Sequence, residues 1–236
     1  MDALGWNLAL ASLTLAVVHT ALGPDHYLPF VMLGRARRWS FGRTLAVTAA
    51  CGLGHVGSSL LLGAIGLAIG TALAGVEAIE QWRGSAAGFG LVLVGSAYAL
   101  WGLCRGRRHR HGIELHRHGG AVHLHCGGTG PHRHDPGAGE PVKDVAFWAL
   151  FLVFVLGPCE PLLPLFVAPA SAGRWGDALV AAIVFGVATI GTMLAVTGAL
   201  YRGAERLPLG PLERWSHALA GSVVALSGAG MLWLGL

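Results

Sequence analysis

The chain alternates long apolar stretches with short polar connections rich in arginine. A membrane-spanning helix needs about 20 mostly apolar residues, and six stretches reach that length. The first covers 4–33, interrupted at Gly23-Pro24-Asp25-His26. The second covers 44–73, the third 85–104 and the fifth 178–201. The fourth, 145–170, is interrupted at Gly157-Pro158-Cys159-Glu160-Pro161, and the sixth covers 215–236. The pattern predicts an all-α integral membrane protein of six transmembrane helices. Within an apolar helix, proline removes a backbone donor and crowds the preceding turn, so helices 1 and 4 are expected to be interrupted.

The two halves of the chain resemble each other. Leu22-Gly23-Pro24-Asp25-His26 aligns with Leu156-Gly157-Pro158-Cys159-Glu160 at an offset of 134, which also places Gly57-Ser58 on Gly191-Thr192. Glu80-Gln81-Trp82 aligns with Glu213-Arg214-Trp215 at an offset of 133. With three helices per half, the second half must enter the bilayer upside down, which is the inverted-repeat plan of many transporters. The expected organisation is a first three-helix repeat over 1–105, a His-rich loop over 106–143 and a second three-helix repeat over 144–236.

Composition agrees with a lipid environment. The 236 residues are 54% hydrophobic and 12% charged, where soluble domains carry about 25% charged residues. Mean hydropathy is +0.61 and the isoelectric point is near 9.2. The net charge of +4 is no sign of nucleic-acid binding, because the basic residues lie between apolar runs. All but Arg83 and Arg174 fall in the connections after helices 1, 3 and 5. The positive-inside rule makes that side cytoplasmic. The His-rich loop is then cytoplasmic and both termini lie outside a multi-pass inner membrane protein. No basic segment precedes the first apolar stretch, so it is expected to be retained as a helix rather than cleaved. Cys51, Cys104, Cys126 and Cys159 are scattered without a C-x-x-C pair, which argues against a disulfide framework. No catalytic triad, P-loop or dinucleotide fingerprint is present, so the chain does not read as an enzyme.

Ionisable residues inside apolar helices are costly and mark ion or substrate paths. His19, Asp25 and His26 lie in the first helix around its break, with the two histidines two turns apart. His55, within Gly54-His55-Val56-Gly57-Ser58-Ser59, adds a third imidazole from the second helix. Cys159 and Glu160 occupy the matching break in helix 4, so Asp25 and Glu160 are expected to balance a dication. Cys51, one turn before His55, and Ser58 and Ser59 stand as further candidates. Imidazole suits nickel, cobalt, zinc, copper and iron, whereas a calcium or magnesium site would use oxygen ligands.

The long loop carries eight of the twelve histidines as His109/His111, His116/His118, His123/His125 and His132/His134. Such tracts bind metal by composition alone. Residues 113–126 read as a hairpin around Gly119-Gly120, opposing His116 to His123 and Glu114 to His125. That would collect Glu114, His116, His118, His123 and His125 on one face. An unstructured loop is the other reading.

The segment His19-Thr20-Ala21-Leu22-Gly23-Pro24-Asp25-His26-Tyr27-Leu28-Pro29-Phe30, followed by Gly54-His55 and Ser58-Ser59, resembles the NicO-type nickel/cobalt transporters. It is similar still more closely to UreH-like urease accessory membrane proteins. Gly157-Pro158-Cys159-Glu160-Pro161 resembles the wider superfamily that includes sulfite exporters and cytochrome-biogenesis thiol transporters. The resemblance implies transport of nickel or cobalt, with His19, Asp25, His26 and His55 on the metal path. Here five residues separate His19 from Asp25, where the nickel-permease signature has four.

The expected function is therefore secondary transport of a divalent transition-metal ion, nickel or cobalt first, across the cytoplasmic membrane. No permanent cofactor is expected, the ion being substrate or bound ligand. The expected partners are the bilayer, the ion and, through Asp25 or Glu160, protons. Small-residue spacings such as Gly66-x-x-x-Gly70 suit helix packing within a chain or in a homo-oligomer. Two other classes stay open: a metal-storage or metallochaperone accessory protein working through the loop, and a thiol redox transporter using Cys159. The second lacks a matching cysteine, since Asp25 stands at that position.

Overall fold

A computed structural model describes residues 2–70, 73–108, 113–118, 121–126, 145–206 and 215–234. Eight helices and one two-stranded ladder appear among them: α1 (Ala3–Leu22), α2 (Leu28–Ala36), α3 (Phe41–Ala68), α4 (Leu73–Arg108), β1 (Ile113–His118), β2 (Ala121–Cys126), α5 (Val145–Leu156), α6 (Leu162–Ser171), α7 (Trp175–Glu205) and α8 (Ser216–Leu234). Four helical segments are long and apolar enough to cross a membrane: Ala3–Leu22, Phe41–Ala68, Gly75–Cys104 and Trp175–Glu205. Phe147–Leu156 and Leu162–Ser171 are shorter apolar helices. Large apolar side chains cover the outside, among them Leu10, Phe89, Leu93, Leu152, Val187 and Leu226. Such an exterior is compatible with lipid, and helices apolar all round are buried or membrane-embedded.

Element ends follow local chemistry. The Asp2 carboxylate caps α1 by accepting from the Gly5 N–H at 2.8 Å, and the Ser40 hydroxyl caps α3 through the Arg43 N–H at 3.2 Å. Gly23 N–H still reaches the His19 carbonyl, and Pro24 then opens a single 3-10 turn, Pro24–His26. The chain resumes as α2, which stops at a left-handed Arg38 with φ 53°. There Trp39 N–H bonds to Gly34 O at 2.8 Å and Arg38 N–H to Arg35 O at 3.1 Å. That is the Schellman closure, with arginine where glycine is usual.

The third expected helix is corrected. It was placed at 85–104, but α4 begins at Leu73 and continues to Arg108. Glu77, Glu80 and Arg83 resemble a polar connection in sequence; in the structure they are helical. The loop strands pair in the expected register, Glu114 with His125 and His116 with His123. His109, His111, His132 and His134 lie outside the described residues.

Helices from the two halves of the chain pack on one another. Each half runs as an interrupted helix and then two further helices. α1 packs on α7, and α5 packs on α3. α3 packs on α7, and α4 on α8. The α4–α8 seam is built on glycine. A Cβ at Gly221 would lie 2.6 Å from the Gly95 carbonyl oxygen and 2.7 Å from Ala99 Cα. One at Gly228 would lie 2.6 Å from the Gly88 carbonyl oxygen. Both opponents are backbone atoms, which cannot move aside as a side chain can. Gly221→Leu is therefore expected to cost at least the 1–3 kcal/mol typical of an overpacked core, about that or more. Gly57→Ala, with nothing within 4 Å of its Cβ, should leave stability unchanged or raise it by up to about 1 kcal/mol, alanine being the better helix former. Thermal unfolding of the two purified variants makes the comparison.

A polar clasp joins the starts of α1 and α7. Arg174 Nη2 sits 2.8 Å from Asp2 Oδ1 and 2.5 Å from Asp177 Oδ2. The Gly5 N–H holds the Asp2 carboxyl below its ordinary value of 3.8; desolvation pushes the other way, and the Arg174 guanidinium adds further lowering. With a lowered folded value, its contribution is present above the ordinary carboxylate range. It is lost as pH falls through the folded value. Arg174→Gln should shift the Asp2 titration back upward in a carboxylate-resolved NMR experiment; an unmoved titration would show that the clasp plays no part.

Candidate metal centre

The interruption after α1 places three imidazoles together. His19 lies in the last turn of α1, His26 ends the 3-10 turn, and His55 comes from the middle of α3. The His19 and His26 ring centroids are 4.9 Å apart with planes at 80°. Those of His26 and His55 are 5.3 Å apart at 86°. One ring nitrogen from each of the three lies within 4.8 Å of the others. His26 and His55 are buried and His19 is half-buried. The Nε2 atoms of all three have no hydrogen-bond partner.

Unpartnered buried nitrogens are costly, and three imidazoles this close, each with an unpartnered Nε2, form a donor set that could hold a transition-metal ion. In a tetrahedral site with metal–nitrogen bonds near 2.05 Å, donors sit about 3.3 Å apart. The cluster is wider than that and would have to contract around an ion.

Asp25 has a different place from the one expected. Its Oδ2 lies 3.3 Å from His26 Nδ1, which also faces the Gly23 carbonyl at 3.3 Å. Asp25 is thus outside the imidazole trio and braces His26 through Nδ1, while His26 Nε2 has no partner. Metal-binding histidines are commonly held this way by a carboxylate or carbonyl behind the ring. Asp25 Oδ1 remains without a partner. Gly23 is required by close approach, since a Cβ there would lie 2.6 Å from His26 Nδ1 and 2.9 Å from Asp25 Oδ1.

The trio opens on a cavity of about 460 Å³ whose wall includes His19, Asp25, His26, His55, Gly157, Pro158 and Glu160. Both helix breaks therefore border one space. Gly84 lets α4 close over the second break, since a Cβ there would stand 2.8 Å from Pro158 Cγ. Glu160 lies at the expected interruption, in the turn between α5 and α6, and is exposed to that space. The prolines on either side of it, Pro158 and Pro161, explain the loss of helix. Cys159 is fully buried away from the cavity wall, against Ala16, Val56, Leu162, Ala182 and Phe185. Its N–H donates to Ser59 Oγ at 3.2 Å. Cys51 is likewise buried in the apolar core and lines no part of the cavity.

One polar group was missed by the sequence reading. Arg83, expected in an outer connection, is half-buried beside the buried Glu80 in α4. Its Nη1 lies 2.5 Å from Glu80 Oε1, and its Nη2 donates to Ser58 Oγ at 2.7 Å and the Val155 carbonyl at 2.6 Å. The guanidinium thus ties α4 to α3 and to the end of α5, just before the second break. The Glu80/Arg83 i,i+3 spacing was the available signal, masked by placing both residues outside the helix. Ser58 and Ser59 serve this bracing: one accepts from Arg83, the other from Cys159.

The fold and site define a helical protein with four helices long and apolar enough to cross a membrane and a largely buried histidine cluster that could hold a metal ion. No protein-family model, no curated protein and no solved structure matches the chain.

Proposed function

We propose that the protein is a secondary transporter of a divalent transition-metal ion, nickel or cobalt first, with the ion passing through the His19/His26/His55 cavity. The observation that carries this reading is the convergence of three unpartnered imidazole nitrogens beside a broken membrane helix. Transporters place their ion sites at such interruptions, between repeats. In this reading α1 with α2, and α5 with α6, each make one crossing, giving six crossings in two inverted repeats. The exchange of packing partners supports it, with α1 on α7 matched by α5 on α3. The glycine seam supports it too. At the offset of 133, Gly88 maps to Gly221 and Gly95 to Gly228. The contact of Gly88 with Gly228 then maps onto that of Gly221 with Gly95. In this reading the arginine distribution favours both termini outside and the His-rich loop in the cytoplasm.

A second reading, metal storage or delivery through the loop, draws on the β1–β2 register, which opposes Glu114 to His125 and His116 to His123. The thiol redox reading draws less support, because Cys51 and Cys159 belong to different apolar clusters and neither lines the cavity.

The test is metal uptake into proteoliposomes, offering nickel, cobalt, zinc and manganese in parallel. Saturable nickel or cobalt flux supports transport. Absence of flux for every metal, with tight metal retention by the full-length protein, would replace it with the storage reading.

A further inference from the structure

An apolar groove of about 370 Å³ lies between α2, α4, α5 and α8. It borders the histidine cavity across Leu91 and Val153, which line both spaces. Along α4 its wall is Leu91, Val94, Tyr98 and Trp101, at helical spacings of three and four. From Leu91 to Trp101 it runs about 15 Å at 1.5 Å per residue. That is half of a hydrocarbon core about 30 Å thick, the depth of one leaflet. Leu93, Val94 and Trp101 are exposed, so the groove opens sideways on the apolar exterior.

One end of the groove is different. Among the described residues of its wall, Arg37 alone carries a full charge. Arg37 caps the end of α2, and its guanidinium carbon stands 5.9 Å from the Tyr98 ring centroid, within cation–π reach. The Tyr98 ring is held on two sides. Its Oη lies 2.8 Å from His217 Nδ1, and Trp101 stacks on it with centroids 5.6 Å apart. His217 is the one histidine of the twelve outside both the trio and the loop pairs, and its place is here. The head of the groove is cationic and aromatic; the body is apolar.

We propose that this groove binds one anionic glycerophospholipid, with an acyl chain along Leu91, Val94 and Val153 and the phosphate at Arg37. Charge selects the occupant. A guanidinium complements a phosphate and repels a dication, so the groove is no continuation of a metal path. Length fits a chain that crosses one leaflet, and Trp and Tyr beside the charge match the headgroup level. Arg35, Arg38 and Arg43 lie close in sequence and add to the attraction for an anionic surface. Which leaflet supplies the lipid rests on the orientation proposed above; the pairing of one positive charge with an apolar slot does not. A seated chain would also seal the wall that Leu91 and Val153 share with the histidine cavity.

The test is native mass spectrometry of the full-length protein in detergent, titrated with phosphatidylglycerol or phosphatidylcholine of the same acyl chains. Wild type should hold one phosphatidylglycerol about fivefold more tightly than phosphatidylcholine, the worth of one basic residue at an anionic surface. Arg37→Gln should remove that preference and leave phosphatidylcholine binding as it was. Arg206→Gln, at an exposed position away from the groove, should keep it. Val94→Trp, which fills the mouth, should weaken both lipids severalfold and carries the test if Arg37→Gln does not stay monodisperse. Equal retention of the two lipids by wild type, a preference that survives Arg37→Gln, or one lost as much in Arg206→Gln, would overturn the proposal. A dimer that withstands added lipid and is broken by Val94→Trp would give the groove to a second copy of the chain instead.

Discussion

His26→Ala is expected to abolish saturable nickel or cobalt flux, lowering it at least about 100-fold, while the protein still folds. His26 is the middle ring of the trio, in edge-to-face contact with His19 on one side and His55 on the other. Its loss leaves two imidazoles from different helices with nothing between them. The comparison that matters is with Asp25→Asn, which keeps all three rings and removes only the charge behind His26. Outer partners of metal-bound histidines typically matter by about 10–100-fold in affinity, so Asp25→Asn should weaken metal binding without ending transport. Flux should also fall as pH drops, because protons compete with the ion for the imidazole nitrogens. Wild-type flux in His26→Ala would place the path elsewhere in the molecule.

Arg83→Met is the second large effect, and it concerns stability. The substitution leaves the Glu80 carboxylate buried without its partner, and breaking one side of a buried pair costs about 3–5 kcal/mol. Two further anchors go with it, at Ser58 and at the Val155 carbonyl. Replacing both members, as Glu80→Leu/Arg83→Met, removes the stranded charge and should recover most of the loss. Unfolding of the single and double variants in the same detergent measures the difference. A double variant as unstable as the single would mean that the serine and carbonyl anchors, rather than the pairing of charges, hold this part of the bundle.

Much of the architecture was legible because the signals were local and strong. Gly-Pro sequences inside apolar runs located both interruptions, and runs of about 20 apolar residues located the helices around them. His19, His26 and His55 could be grouped because imidazoles are rare in such segments. The sequence did not show how Asp25 and Glu160 divide their roles. One carboxylate stands behind a histidine and the other faces an open space, a distinction of side-chain direction that spacing alone does not encode. The buried Glu80/Arg83 pair was hidden for a related reason. Charged residues near the end of an apolar run look like a solvated connection until a partner in three dimensions is known. The glycine seam lay in plain view at the 133 offset of Glu80-Gln81-Trp82, one residue from that of the other landmarks, yet glycine is so abundant, at 37 residues, that its placement carried little information by itself.

That seam has a mechanical consequence. Interfaces made of side chains can slide, because rotamers repack in small steps and allow a shear motion. Where α4 and α8 touch backbone to backbone, there are no rotamers to change, and any sliding would drive one main chain into the other. The pair therefore behaves as a keel, stiff along its length and antiparallel by construction. A change of access to the cavity has to be taken up by the short helical pieces on either side of the two breaks, hinging against a part of the molecule that stays still.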